Sequence, residues 1–184
     1  KELRLGGLRI DPKTNIGSRV TYYNNVKIRN LKNQKSEITQ VKGLPKNPKL
    51  SNISWSPDQK RIALTNTTET GVELWVLELE NGSVTKLTEP NLNSNIGSVI
   101  NWFSDSENML VKMISRNKKP LIDTNKIVPD GPTISTNFGE KAQNRTYQDL
   151  LKNKFDEHNF EQLSTSTIYK VSIDGSVKKW MDDG

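Results

Sequence analysis

The chain has 184 residues, no cysteine, a hydrophobic content of 32% and a formal net charge of +6. Its length fits about one domain, and the lack of cysteine excludes a disulfide framework and a thiolate metal site while leaving the cellular compartment open. No apolar run reaches the ~18 residues of a membrane-spanning helix. Because the chain also opens without a signal peptide and has a mean hydropathy of only −0.72, we expect a fragment of a longer protein.

The charge is distributed unevenly along the chain. Residues 1–50 contain twelve Lys and Arg against three acids, whereas residues 51–184 contain fifteen against eighteen. A basic end can mark a nucleic-acid surface, but these lysines are scattered and have only Tyr22 and Tyr23 as nearby aromatic residues. We therefore favour a solvated basic face, and nucleic-acid binding is an alternative that rests on this end alone.

Residues 1–44 are predicted to form an N-terminal strand and the outer half of a first β-unit. Residues 3–10 alternate in polarity and are interrupted by Gly6-Gly7, which indicates a strand with a bulge or bend. Residues 11–19 are predicted to be a loop. Residues 22–31 and 37–41 follow as a hairpin with a polar turn at residues 32–35.

Residues 45–90 are predicted to be a complete four-stranded unit. The strands are expected at residues 53–55, 61–65, 73–79 and 85–87. Ser56-Pro57-Asp58 is a turn signal, and Asn81-Gly82 is a strong two-residue hairpin signal. The strand at 73–79 is apolar on both faces, so we expect a sheet that is covered on both sides.

The same unit recurs in residues 91–184. The sequence W-S-P-D at residues 55–58 is echoed 47 positions later by W-F-S-D at 102–105. The second set of strands is expected at residues 99–102, 109–113, 167–173 and 177–180. A period of about 40–50 residues with four strands per unit is typical of propeller blades. The sequence therefore predicts an all-β fold, a partial β-propeller of four-stranded antiparallel blades, in preference to a sandwich.

A long insertion at residues 115–166 separates the second and third strands of this last unit. Residues 116–139 show no usable periodicity, whereas Thr146 and Asp149 have capping-box spacing and residues 156–163 are predicted to form one or two helical turns. Insertions of this length are usually functional or disordered. Two interpretations stay open: a partly helical plug over the edge of a sheet, or a flap toward a substrate.

Catalytic motifs are missing from the sequence. It contains no G-x-S-x-G, H-E-x-x-H, P-loop or G-x-G-x-x-G pattern, and these are the signatures of hydrolase nucleophiles, zinc sites and phosphate-binding loops. His158 is the only histidine, and we interpret it as a surface residue. We therefore predict no catalytic residue, no cofactor, no metal and no peptide cleavage by this chain.

The W-S-P-D turn, the E-L-W-V strand at 73–76 and the N-G hairpin at 81–82 resemble the propeller repeats of the prolyl oligopeptidase family and of TolB-like proteins. Two flanking stretches, residues 3–12 and 145–152, resemble the glutamyl-endopeptidase-like branch of that family. The resemblance implies a propeller placed before an α/β-hydrolase peptidase domain, which the 184 residues do not include. The parent protein would then be a serine peptidase.

The resemblance also suggests a substrate-binding role for part of the insertion. Related peptidases use acids from a propeller insertion to hold a substrate's free amine, and Asp156 and Glu157 lie in a comparable insertion. If the parent instead prefers acidic side chains, Arg145 would serve better, because a guanidinium pairs bidentately with a carboxylate. The alternative is that all three are solvated charges at helix ends.

Two functions follow as hypotheses. In the first, the propeller gates access of peptides to the hydrolase domain, and its partners are that domain and the peptide substrates. In the second, a TolB-like propeller binds a partner protein. We also expect self-association, because the terminal sheets would expose apolar residues such as Ile28, Leu31, Ile168, Val171 and Ile173.

Overall fold

The computed structural model describes residues 2–31, 37–123, 126, 131, 139 and 150–184. These residues form thirteen strands and one α-helix. The strands are β1 Leu3–Leu5, β2 Leu8–Asp11, β3 Ile16–Gly17, β4 Lys27–Ile28, β5 Thr39–Gln40, β6 Leu50–Trp55, β7 Arg61–Thr67, β8 Val72–Glu78, β9 Val84–Lys86, β10 Ile100–Trp102, β11 Asn108–Ile114, β12 Ser166–Ser172 and β13 Val177–Met181, and the helix is α1 Lys154–Ser164. The predicted mostly-β class is confirmed.

The strands form four antiparallel sheets. Two are four-stranded, β6-β7-β8-β9 and β10-β11-β12-β13, and we name them the first and second large sheets. The others are β1-β2-β3 and β4-β5. Both large sheets were predicted, with strand ends displaced by one to three residues. A closed propeller ring stays a prediction.

The two tryptophans of the repeated motif hold equivalent places in the large sheets. Trp55 ends β6 and pairs with Ile62, and Trp102 ends β10 and pairs with Met109. Each tryptophan thus faces a residue at the start of the second strand of its sheet. The predicted equivalence of Trp55 and Trp102 is confirmed by their register.

The turns that follow these tryptophans also repeat. Gln59 and Ser106, 47 positions apart, both adopt a φ of 59°. One residue earlier, Asp58 accepts the Lys60 N–H at 3.0 Å, and Asp105 accepts the Glu107 N–H at 2.9 Å. Such a bond from an aspartate to the backbone two residues on stabilises a tight turn, so the same short pattern builds the same turn twice.

A core lies between the two large sheets, and a second one lies on the far face of the first. Strand β8 contributes to both, because Leu74 and Val76 pack in the core between the sheets, while Leu77 packs in the far one with Trp75 at its border. The sheet formed by β4 and β5 supplies Ile28 and neighbouring residues to that far cluster. The prediction of a strand covered on both faces is confirmed.

The N-terminal segment differs from the prediction of one bent strand. Gly6 and Gly7 form a two-residue turn between β1 and β2, and both have positive φ, 56° and 81°, as a tight hairpin of this kind needs. A Cβ on Gly6 would lie 2.9 Å from the Phe160 ring of α1. The predicted loop at 11–19 also contains the short strand β3, which extends this sheet.

The expected exposed faces are partly wrong. Val171 has 0% exposure because its side chain packs into the core between the large sheets, and Ile28 packs against the first large sheet. Leu31 is exposed as expected. At the far edge the exposed apolar residues are instead Val177, Trp180 and Met181 of β13. In the part of the chain that the structure describes, no helix is long and apolar enough to cross a membrane.

Candidate functional site

The insertion leaves the second large sheet after Ile114 and returns at Ser166. Its described parts are residues 115–123, three single residues and 150–165. The predicted helical turns are present as α1, whose Leu163 is fully buried beside Leu5 and Ile10, with Phe160 packed against the same cluster. The capping-box motif at residues 146–149 lies outside the described residues.

Helix α1 begins at an asparagine cap that the sequence analysis did not single out. Asn153 Oδ1 accepts the backbone N–H groups of Phe155 at 3.0 Å and Asp156 at 2.9 Å. Two donors that lack partners within the helix are thereby satisfied. Asp156 and Glu157 in the first turn also match the positive end of the helix dipole.

Asp156 and Glu157 share this turn but differ in surroundings. Asp156 Oδ2 accepts the Lys152 N–H at 3.0 Å, so part of its carboxylate stabilises the helix start. Asp156 is half-buried and Glu157 is exposed. Arg145, the third predicted residue, lies outside the described residues, and the structure does not describe whether it approaches the other two.

An open cleft of about 490 Å³ lies beside Asp156. Its polar lining includes Arg4, Asp123 and Asn159, and its apolar lining includes Leu3. The cleft therefore offers groups of both charges, which can contact a cationic or an anionic group of a ligand. Among the described residues, no cluster of three or more metal-ligating side chains is present.

Two side chains of α1 attach the first limb of the insertion to the helix. Asn159, which is buried, accepts the Ile122 N–H at 2.7 Å and donates to the Ile122 carbonyl at 2.9 Å. His158 Nε2 lies 3.1 Å from the Pro120 carbonyl. His158, interpreted from the sequence as a surface residue, is half-buried and bonds to a backbone carbonyl. Sequence reasoning missed Asn159, because asparagines are frequent in this chain.

The base of the insertion is fixed by a buried asparagine from the link between the large sheets. Asn93 Nδ2 donates to the Leu163 carbonyl at 3.0 Å, the Thr165 carbonyl at 2.9 Å and Ser166 Oγ at 3.1 Å. A neighbouring asparagine, Asn95, donates to the Leu163 carbonyl at 2.8 Å. The end of α1 is thereby held against the link that follows the first large sheet.

Asp183 fixes the same base from the other side. Its carboxylate accepts hydrogen bonds from Thr167, from Ser115 Oγ at 2.7 Å and from Asn117 Nδ2 at 3.1 Å. These bonds, that from Thr167 first, hold the pKa of Asp183 below its ordinary value, because they stabilise the charged form. Both ends of the insertion are thus anchored, and the position of α1 is defined.

We expect Asn93→Asp to destabilise the attachment of α1. The change keeps the size of the side chain but replaces an NH2 donor by an oxygen. The Thr165 carbonyl then loses this donor, the Leu163 carbonyl keeps only the bond from Asn95, and both carbonyls face a negative charge. Leaving such groups unpaired costs about 1–3 kcal/mol. Amide hydrogen exchange should show lost protection in α1, and Asn91→Asp, two residues earlier and exposed, should show none. Equal protection in both variants would contradict this role.

Glu2, which lines the cleft beside Asp156, is a strongly perturbed carboxylate. It accepts a hydrogen bond from Ser18 and bonds from Arg4 at 3.0 Å and Arg9 at 3.3 Å. Foremost through the bond from Ser18, these partners lower the pKa of Glu2 from 4.5 to about 2. Glu2 thereby joins β1, β2 and the loop after β3.

The lowered pKa of Glu2 predicts an acid-dependent loss of stability. Because the folded-state pKa lies below the ordinary value, the contribution is complete above about pH 4.5 and is lost as pH falls toward about 2. The Glu2 carboxyl carbon should titrate near pH 2 by NMR. In Glu2→Gln this part of the stability difference between pH 5 and pH 2 should vanish. A titration near the ordinary value would show that these partners do not act in solution.

The chain matches named proteins over nearly its whole length. It is 30% identical, in an alignment 190 positions long, to a probable chloroplastic glutamyl endopeptidase of Oryza sativa subsp. japonica, and the match covers 96% of this chain and 20% of that protein. The corresponding protein of Arabidopsis thaliana is 31% identical in an alignment 194 positions long, which covers 97% of this chain and 19% of that protein. The chain therefore spans about a fifth of the length of these curated relatives. No family model matches it.

Two solved structures are also similar. An acylaminoacyl peptidase of Pyrococcus horikoshii gives a TM-score of 0.43 at 18% identity, over 85% of this chain and 20% of that one. An acylaminoacyl peptidase in complex with Z-Gly-Gly-Phe-chloromethyl ketone gives a TM-score of 0.41 at 19% identity, over 81% and 19%. The two plant relatives confirm the resemblance to the glutamyl-endopeptidase-like branch of the prolyl oligopeptidase family: the chain is related, over 96–97% of its length, to a segment of two probable glutamyl endopeptidases.

Proposed function

We propose that the chain is a non-catalytic β-propeller segment of a serine peptidase resembling glutamyl endopeptidase, and that it gates access of peptides to a separate α/β-hydrolase domain. The observation that supports this most is the repeat of one four-stranded sheet in equivalent register, tryptophan against second strand, with a shared core between the copies. Stacked sheets of this kind build propellers. The similarity to about a fifth of the plant endopeptidases supports a parent with further domains.

The gating role is tested on the parent protein with matched substrates. The parent should cleave a short peptide with Glu at the cleaved bond, and it should leave the same sequence intact when that sequence is a loop of a folded protein. The hydrolase domain produced without the propeller should cleave both. Equal discrimination by both proteins would assign the selectivity to the hydrolase domain.

The 184-residue chain alone should cleave neither substrate. The alternative is a TolB-like protein-binding propeller. It would be favoured if both the chain and its parent are inactive and the chain retains a partner protein in binding assays. Turnover by the purified chain that serine-directed inhibitors abolish would contradict a non-catalytic role.

Within this function we propose that Arg145, Asp156 and Glu157 contact the substrate. The half-buried position of Asp156 beside a cleft that contains both charge signs supports this for Asp156. In the parent, Asp156→Asn with Glu157→Gln removes both charges while the amide oxygen at 156 can still accept the Lys152 N–H. One lost charged contact is worth about 1.5–3 kcal/mol, roughly ten- to a hundredfold in KM or kcat/KM.

Two comparisons make this test specific. Arg145→Ala should raise KM for substrates with acidic side chains, and the double change at 156 and 157 should raise it for substrates with a free amine. Glu161→Gln, an exposed change on the same helix, serves as the matched control and should leave both unchanged. If the kinetics of the Arg145 variant and of the double variant are unaltered, the proposal is contradicted and all three residues are solvated charges at helix ends.

A further inference from the structure

An exposed apolar strip lies on the strand of the first large sheet that stands next to the second sheet. On β6, Ile53 is 46% exposed and Trp55 is 57% exposed. Their counterparts 47 positions later are covered: Ile100 is 4% exposed, and Trp102 packs at the border of the core between the sheets. At these two positions one copy of the unit has a buried isoleucine and a half-buried tryptophan, whereas both residues are exposed in the other copy.

The second large sheet shows what covers Ile100 and Trp102. Trp102 Nε1 donates to the carbonyl of Ser54 on β6 at 3.2 Å. One turn away, Ser106 Oγ accepts the Asp58 N–H at 3.0 Å. The second large sheet thus presents its first strand and turn to the sheet that precedes it. By the same geometry, Trp55 should face the first strand of a sheet that precedes the first large sheet.

Among the described residues, the sheet on that side of the first large sheet has two strands. It is the pair β4-β5, which lies beside the outer edge of the first large sheet, where Lys42 pairs with Ser83. Its apolar residues, Val26 and Ile28 with Val41 and Leu44, pack on the cluster of Leu50, Leu64 and Leu77. The half of the face formed by Ile53 and Trp55 has no such cover among the residues that the structure describes.

We propose that the strip of Ile53 and Trp55 binds two further β-strands, which come from the parent polypeptide outside these 184 residues and extend the β4-β5 sheet at β4. The added strands would be antiparallel and apolar toward Trp55, and a main-chain carbonyl of the first would accept the Trp55 indole N–H. The β4-β5 pair would then become a four-stranded sheet like its two neighbours.

Three features favour the parent polypeptide as the source. A two-stranded sheet is marginal by itself, whereas the two repeats beside it each have four strands. The plant relatives are about five times as long as the region that they share with this chain, so ample chain exists to supply a strand pair. A strand of the same polypeptide also meets its site at a high effective concentration. The expected cover of Ile53 and Trp55 does not depend on which substrate the parent cleaves.

The test compares thiol labelling of Ile53→Cys in the 184-residue chain and in the parent protein. The chain has no cysteine, so in it the new thiol is the single one, and peptide mapping by mass spectrometry identifies it in the parent. We expect labelling by a maleimide to be at least about tenfold slower in the parent, since a covered side chain must wait for local opening. Glu80→Cys, at an exposed turn, should label at equal rates in both proteins.

A measurement without any substitution supports this comparison if Ile53→Cys folds poorly. Hydroxyl-radical footprinting should oxidise Trp55 in the 184-residue chain and spare it in the parent. Equal labelling and equal oxidation in both proteins would overturn the proposal. So would protection that appears in the 184-residue chain alone as its concentration rises, because a second copy would then be the occupant.

The identity of the occupant is read from a photo-crosslinker attached to the new thiol of the Ile53→Cys variant of the parent. The expected product joins residue 53 to a segment outside residues 1–184. A crosslink to residues 115–165 would overturn the proposal as well, since the insertion of this chain would then cover the strip.

Discussion

Replacing Leu74 with alanine should lower the free energy of unfolding by about 2–5 kcal/mol, the range for truncating a fully buried leucine. Leu74 is 0% exposed and lies in the core between the large sheets, together with Val111 of β11 and Val171 of β12. The alanine would leave a cavity at the contact that joins the two repeats. Because a domain is stable by only about 5–15 kcal/mol, this loss is a large fraction of the total.

The matched control is Leu31→Ala, the same chemical change at a side chain that is 84% exposed. Its cost should stay within about 0.5 kcal/mol. Urea unfolding followed by circular dichroism measures both, and the slope with denaturant shows whether the transition stays two-state. Equal costs for the two variants would mean that the two large sheets do not share a core in solution.

The large sheets could be predicted from the sequence because several local signals agreed. The W-S-P-D turn and the Asn81-Gly82 hairpin marked the ends of the strands, and the apolar residues on both faces of β8 required cover on both sides. The repeat at 47 positions then transferred each feature to the second sheet. Its physical origin is visible in the turns, where Gln59 and Ser106 share one backbone conformation.

The N-terminal sheet could not be predicted in the same way. Gly6-Gly7 was interpreted as a bend, because a strand interrupted by glycine and a two-residue hairpin have the same short pattern. In the hairpin Phe160 of α1 lies against Gly6, and the end of α1 is held by Asn93 among other anchors of the insertion. A contact of this separation along the chain leaves no local signal.

The candidate site was predictable in part. The helical turns at residues 156–163 were predicted from the sequence, whereas Asn153, Asn159 and Asn93 gave no distinct signal among the asparagines of this chain. Their roles depend on their burial and on the backbone groups to which they hydrogen-bond. The substrate role of Arg145, Asp156 and Glu157 stays a prediction.

The second large effect is expected from Trp102, and Trp55 holds the matched position in the first large sheet. In the 184-residue chain, Trp102→Ala removes the ring that packs at the border of the core between the sheets and the hydrogen bond to the Ser54 carbonyl. Truncating a buried tryptophan costs about 3–5 kcal/mol, and because this ring is only half-buried we expect about 2–4 kcal/mol. Trp55→Ala removes an equivalent residue that is exposed, so its cost should stay below about 1 kcal/mol.

The two variants are matched, since each removes one tryptophan from the same register position and leaves three. Circular dichroism should follow unfolding, because either change also alters the fluorescence. Trp102→Phe separates the ring from its N–H and should cost about 0.5–1.5 kcal/mol, the net value of one hydrogen bond. In the parent protein the cost of Trp55→Ala should rise to that of Trp102→Ala, because strands supplied there would cover Trp55 as β6 covers Trp102. Equal costs already in the 184-residue chain would show that Trp55 is covered without them.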